Sequence, residues 1–370
     1  MNSTRTHAYD VRSISCGRDH TLALLATGKV VGWGGDGSGR IPSATPEYCT
    51  TPAPTRAVEV LLREPVSAVA AGHGVSLGIT PSRGVATWGA YGAGLAGVAG
   101  AVAPATPLPV AGIANARSVH AGEFQCAVVD TAGAVFTWGL ALDGALGRAA
   151  DTLEASPGRV TGLPPVRDVA VGKGYMLART QDDRVFAWGG NAAGQLGQGH
   201  LRAVALPSLV ELPERIASVA AGASHALALT SAGEVLAWGS NNHGQLGNDA
   251  AKFSPRPVTV TLPERAQAVA AGMYFSLALG NSGTVYAWGW NHLGQLATGD
   301  RDDRAAPTPV AGLADVRTIA AGQAHAAALA RDALYGWGSN AEGQLGAAAR
   351  EQQIPLSLLA VQATGRGRHA

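Results

Sequence analysis

Apolar residues along this chain come in short runs, without the 3.6-residue periodicity of an amphipathic helix. Between residues 207 and 247 the runs read SLVEL, SVAAG, HALALT and EVLAWG. Each is strand-length and is bounded by Gly, Pro, Ser or a Glu-Arg turn. Short turns join the first run to the second and the third to the fourth, which predicts antiparallel neighbours within one unit. The long connection from Gly239 to Pro257 is then expected to carry the chain from an outer strand to the inner strand of the next unit.

The same pattern recurs. Trp-Gly pairs stand at Trp33, Trp88, Trp138, Trp188, Trp238, Trp288 and Trp337, in steps of 55, 50, 50, 50, 50 and 49 residues. Gly17, Gly72, Gly122, Gly172, Gly222, Gly272 and Gly322 keep the same beat, 15 or 16 residues earlier. A fixed period of this size marks a repeat architecture. Seven units of four strands predict an all-β fold, a seven-bladed β-propeller of four-stranded antiparallel blades. The chain opens with three strand-like runs, VRSISCG, HTLALL and KVVGWG, and finishes with one, IPLSLLAV at 354–361. This C-terminal strand is expected to complete the first blade and close the ring. Residues 11–361 then form one domain, between a disordered N-terminus at 1–10 and a disordered basic tail at 362–370.

Composition changes the picture little. At 370 residues the chain exceeds the usual single core, which stacked repeats resolve. The net charge of +1 gives no global field toward nucleic acid or anionic lipid. Arginine outnumbers lysine 24 to 3, read as GC-rich coding and a bacterial source. Cys16, Cys49 and Cys126 show no CxxC spacing, so neither a disulfide framework nor a zinc site is indicated, and a reducing cytoplasm fits. No apolar leader is present at the N-terminus. The uncharged stretch 84–116 is interrupted by Pro104, Pro107 and Pro109 and keeps the repeat register, so it reads as blade and not as a membrane span.

The succession AG-x-x-H-x-L-A-L, G-x-V-x-x-W-G and S-N-x-x-G-Q-L-G resembles the regulator of chromosome condensation repeat family. The closest copies are AGASHALAL at 221–229, EVLAWGSNNHGQLG at 234–247, AGQAHAAAL at 321–329 and YGWGSNAEGQLG at 335–346. The resemblance covers about residues 11–361 and implies a seven-bladed propeller. Functions known in the family include nucleotide exchange on a small nuclear GTPase, UV-B perception in plants and inhibition of a β-lactamase. The photoreceptor's tryptophans after AG have no counterpart in the loops GRDHT, GHGVS, GEFQC, GKGYM, GASHA, GMYFS and GQAHA. The exchange factor's protruding wedge has none either, beyond five extra residues around 44–66.

Strand direction places the loops after AG and after Trp-Gly on one face, the top, and the LPER- and TSAG-type turns on the bottom. Binding groups concentrate on loops held by a rigid scaffold. Two AG loops are generic, Ala223-Ser224-His225 and Gln323-Ala324-His325. The others supply Arg18, Asp19, His73, Glu123, Phe124, Lys173, Tyr175, Met273, Tyr274 and Phe275. Aromatics, Met and Arg are the types enriched at interface cores. Tyr175 and Phe275 stand at the family's His position, so they are either binding residues or packing between blades. The loops after Trp-Gly add Asp36, Tyr91, Asp143 and the off-pattern Trp290, either an anchor or a cover over a gap between blades.

On the bottom, Arg12, Arg63, Arg117, Arg167, Arg215, Arg265 and Arg317 recur beside Glu64, Asp168, Glu214, Glu264 and Asp315, which reads as solvated turn pairs. Gly35 to Gly39 lacks a following helix and is a family turn, not a phosphate loop. His20, His225 and His325 fill the repeat's own slot and are expected to be structural. His243 and His292 show no third metal ligand, and the run TGDRDDR at 298–304 is expected to be solvated. No cofactor or metal is expected, and the chain is expected to be a monomer.

The first functional reading is a binding module that presents its top face to a protein or peptide. The second is a propeller enzyme acting on a small molecule, with acid–base chemistry from Glu123, Lys173, His73, Asp19 and Tyr274 at the channel mouth. A funnel of roughly 300–1,000 Å³ would favour the second. The third, implied by the resemblance, is a regulator like the guanine-nucleotide exchange factor.

Overall fold

The computed structural model describes residues 11–35, 39–42, 57–89, 94–97, 106–249, 251–331, 333–346 and 359–360. Asp36, Tyr91, Cys49, both chain ends and most of the insertion near 44–66 lie outside these residues. The described strands form seven four-stranded antiparallel sheets, each with its strands in chain order from inside to outside. Blades 1 to 7 begin with the inner strands Val11–Cys16, Val69–Ala71, Ala116–Ala121, Val166–Val171, Ile216–Ala221, Ala266–Ala271 and Val316–Ala321.

Two expectations about strand order need correction. In blade 5 the strands are Ile216–Ala221, His225–Thr230, Val235–Ser240 and Phe253–Val260. The SLVEL run belongs to Val204–Val210, which pairs with Val185–Gly189 of blade 4. The long connection after Trp-Gly therefore returns to its own sheet, and the short LPER-type turn is the step between blades. Consequently the C-terminal strand does not complete the first blade. Leu359–Ala360 pairs with Leu334–Gly338 in blade 7, and blade 1 takes its fourth strand, Val58–Glu59, from its own sequence.

The Trp-Gly tryptophans explain why the ring holds. All seven are at most 2% exposed. Each indole Nε1 donates to a backbone carbonyl of the preceding blade: Trp88 to Arg40, Trp138 to Leu95, Trp188 to Ala145, Trp238 to Gln195, Trp288 to Gln245 and Trp337 to Gln295. The seventh, Trp33 to Gln344 at 2.8 Å, closes the circle. A buried indole N–H left unpaired is costly, so the Gln-Leu-Gly loop is kept where its carbonyl can accept. Asn191 and Asn241 hold that loop, each accepting from the amide of the Leu five residues on and donating to two carbonyls nearby.

The repeated histidines tie neighbours one layer further in. His20 Nε2 meets Ser76 Oγ at 3.0 Å, His225 Nε2 meets Ser276 Oγ at 3.0 Å, and His325 Nε2 meets Thr21 Oγ1 at 2.9 Å across the closure. The AG glycine makes room for this ring: a Cβ on Gly17 would lie 2.5 Å from His20 Cε1. The seam between blades 7 and 1 is thus made of the same contacts as other blade boundaries, together with Gln323 N–H donating to Gly17 O.

Candidate functional site on the top face

Blade geometry puts the AG and post-Trp-Gly loops together as expected. Gly35 N–H donates to Asp19 O, Ser240 to Ser224 and Trp290 to Tyr274. The inner strands end around a channel mouth of about 120 Å³, lined by the last strand residue and the next two of every blade. One arc of this mouth is charged, with Arg18, His73, Glu123 and Lys173 from blades 1 to 4. The other arc carries Ala223, Met273 and Gln323 from blades 5 to 7.

The charged arc is a linked row. Arg18 Nη1 lies 2.5 Å from His73 Nε2, so that nitrogen accepts and the ring is neutral with its proton on Nδ1. Nδ1 faces Glu123 Oε1 at 3.9 Å, and Lys173 Nζ sits 3.1 Å from the same oxygen. Burial lowers the His73 pKa, and the Arg18 charge lowers it further. Phe124 stacks beneath His73, with centroids 6.3 Å apart, and lies 5.6 Å from Lys173 Nζ. Asp19 turns away from this row: Arg40, which is buried, holds it at 2.6 Å and also donates to His73 O. Burial still raises the Asp19 pKa, against the pull of Arg40. Arg40 escaped the sequence reading, although it stands at the Gln position of the Gln-Leu-Gly loop.

Tyr175 and Phe275 are fully buried. Tyr175 Oη donates to His225 O across the blade boundary, and Phe275 packs in the core between blades 6 and 7. Both fill the space that histidine fills elsewhere, so they pack between blades and do not reach a partner. Tyr274, one residue earlier, points the other way. It joins Trp290, His243 and His292 in a cluster of rings with centroids 5.6–6.4 Å apart. Asp303 anchors this cluster, with Oδ2 2.8 Å from His243 Nδ1 and Oδ1 accepting from Asn291 N–H. The run at 298–304 is partly solvated, as expected, but internally paired: Asp300 meets Arg304, and Arg301 donates to His292 O. Of the five acid–base candidates, only His73, Glu123 and Lys173 meet.

The top face also carries apolar residues that motif reading missed. Among the described residues, Leu142, Leu153, Leu201, Phe253 and Leu293 are 40–56% exposed. All five lie between the third and fourth strands of blades 3 to 6, on the top side or at the upper end of the fourth strand. On the bottom, the arginines pair locally. Arg265 meets Glu234 and not its neighbour Glu264, while Arg117 donates to carbonyls of Val166 and Arg167.

Seven four-stranded blades, each tied to its neighbour by a buried tryptophan, make this a repeat propeller. The chain belongs to the RCC1-like domain family: that domain's model matches residues 94–365, and the regulator of chromosome condensation (RCC1) repeat matches residues 11–40. Human WBSCR16 has a similar fold, with a TM-score of 0.79 and 22% identity over 88% of this chain and 87% of that one. Prp20p from Saccharomyces cerevisiae, described with its binding to Gsp1p and histones, gives a TM-score of 0.71 and 22% identity over 85% and 80%. The structure of Kap60 bound to yeast RCC1 (Prp20) gives 0.76 and 20% over 98% and 89%. Among the described residues no helix is long and apolar enough to cross a membrane.

Proposed function

We propose that this propeller is a protein- or peptide-binding module that docks its partner on the top face. The observation that carries the reading is that five of the seven exposed large hydrophobics among the described residues, Leu142, Leu153, Leu201, Phe253 and Leu293, lie on the top side of blades 3 to 6, the face that also holds the charged mouth. A face on which exposed apolar side chains are concentrated is a candidate interaction surface. Phe124 and Met273 sit nearest the mouth, with Arg18, Glu123 and Lys173 to orient the partner. The mouth volume of about 120 Å³ falls well below that of small-molecule sites, which weighs against the enzyme reading. Binding of Gsp1p and histones by the yeast relative accords with a partner-binding role, and an exchange-factor-like activity is the finer alternative that this likeness suggests. A reducing bacterial cytoplasm is consistent with the buried free thiols of Cys16 and Cys126 and with the arginine bias.

The test compares faces. Partner captured from native lysate by the wild-type chain is expected to bind a Phe124→Ala, Leu142→Ser variant about 2 kcal/mol more weakly, roughly 30-fold. An Arg63→Ala, Arg317→Ala variant on the bottom is expected to bind as wild type. Equal loss on both faces, or loss only on the bottom, rejects the assignment. Turnover of a metabolite that disappears in Glu123→Gln would favour the enzyme reading instead.

A further inference from the structure

The ring cluster on the top face, where blades 5 and 6 meet, has a chemistry different from the mouth. Four electron-rich or heteroaromatic rings come from three loops: His243 after the blade 5 Trp-Gly, Tyr274 after the blade 6 AG, and Trp290 and His292 after the blade 6 Trp-Gly. Tyr274 and Trp290 meet edge to face, centroids 6.0 Å apart at 80°, so they form adjacent walls and not a flat stack. The cluster reaches solvent, for the His292 side chain is 65% exposed. Trp290 is the one tryptophan of eight outside the seven-fold indole–carbonyl circuit.

Behind the walls lies negative charge. Asp303 is a carboxylate 29% exposed, and Asp302 and Asp303 together outweigh Arg301 once Asp300 and Arg304 are paired. Both Asp303 oxygens are already engaged, one by His243 Nδ1 and the other by Asn291 N–H. Each Asp303 oxygen already accepts one hydrogen bond, so this carboxylate has less to offer a cation that brings its own N–H donors. A cation without them needs no acceptor, and the ring faces and the partly buried charge attract it. We propose that this corner is an aromatic cradle for an N-methylated ammonium group. The cation is either a methylated side chain of the docked partner or a free quaternary amine. The inference deepens the protein-binding reading and rests on it only for the first of these sources.

The probes are Nα-acetyl-trimethyllysine amide, choline, unmethylated Nα-acetyl-lysine amide, and the neutral isostere of the first in which carbon replaces the charged nitrogen. Proton NMR of each compound with the full chain reads the ring-current shift of its methyl or methylene protons. The trimethylated compounds are expected to shift upfield and saturate, with the isostere and plain lysine at least about fivefold weaker. Trp290→Ala and, separately, Tyr274→Ala are expected to abolish the shift while the melting temperature stays within a few degrees. A clear preference for the trimethyllysine amide over choline assigns the cation to a partner side chain, and equal binding assigns it to a free amine. The proposal fails if the isostere binds as well as the cation, if no probe saturates, or if both variants bind as wild type. Those results leave the top-face docking test untouched, so the two readings fail separately.

Discussion

The tryptophan ring and the channel-mouth ring are drawn from the same seven blades, a few residues apart, yet they follow opposite rules. At the tryptophans every blade repeats one act: an indole N–H reaches the carbonyl of the blade before it, at 2.8–3.1 Å. At the mouth no two charged positions are alike, and Arg18, His73, Glu123 and Lys173 form one row only because they differ. Agreement between units therefore reports what holds the disc together. Disagreement reports where it meets something else.

Three measurements sharpen or break this contrast. The largest effect is expected from Trp238→Ala, which empties a fully buried site and strands the Gln195 carbonyl. A loss of about 3–5 kcal/mol in denaturant unfolding is expected. A comparable loss from Lys173→Met, in the exposed ring, would erase the distinction. Next comes acid. Burial lowers His225 and His325 from the ordinary 6.5 to about 4, and their Nδ1 atoms, like that of His20, are buried without a partner among the described residues. A depressed folded-state pKa gives stability that is present above pH 6.5 and lost as pH falls toward 4. Each of the two is expected to contribute a loss of about 3 kcal/mol by pH 4. Unfolding curves at pH 7 and pH 4 measure it, and His225→Gln is expected to flatten the dependence. The smallest effect is expected from Arg265→Ala, whose pair with Glu234 is 55% and 40% exposed. Unfolding should move by no more than about 1 kcal/mol, and a larger change would mean that the bottom arginines brace the ring.

The period of the sequence was enough to read the blade number, the strand count and the face on which loops gather. It was not enough to assign each run to its sheet. The short LPER turn looked like a hairpin, but it is a step between blades, because a tight turn fixes proximity and not pairing. A better signal was available. Pro109, Pro157, Pro207, Pro255 and Pro307 all fall in fourth strands, and proline is tolerated where one strand edge lacks a partner. The site was legible only by residue type. Whether Tyr175 or Tyr274 faces solvent depends on which side of the AG turn it leaves, and the space beside Gly172 claims Tyr175. Asp303 was invisible for another reason: its role depends on a long loop bringing it back to His243 and Trp290, and no local pattern encodes that return.

The seam between blades 7 and 1 has a topological meaning. Among the described residues the polypeptide runs continuously across six blade boundaries and not across this one. Among the described residues the two ends of the arc are clasped by Trp33 on Gln344, His325 on Thr21 and Gln323 on Gly17, with no shared strand sewn through both sheets. The other six boundaries add a covalent link to contacts of this kind, whereas this seam rests on noncovalent contacts among the described residues, so thermal opening of the ring is expected to begin there.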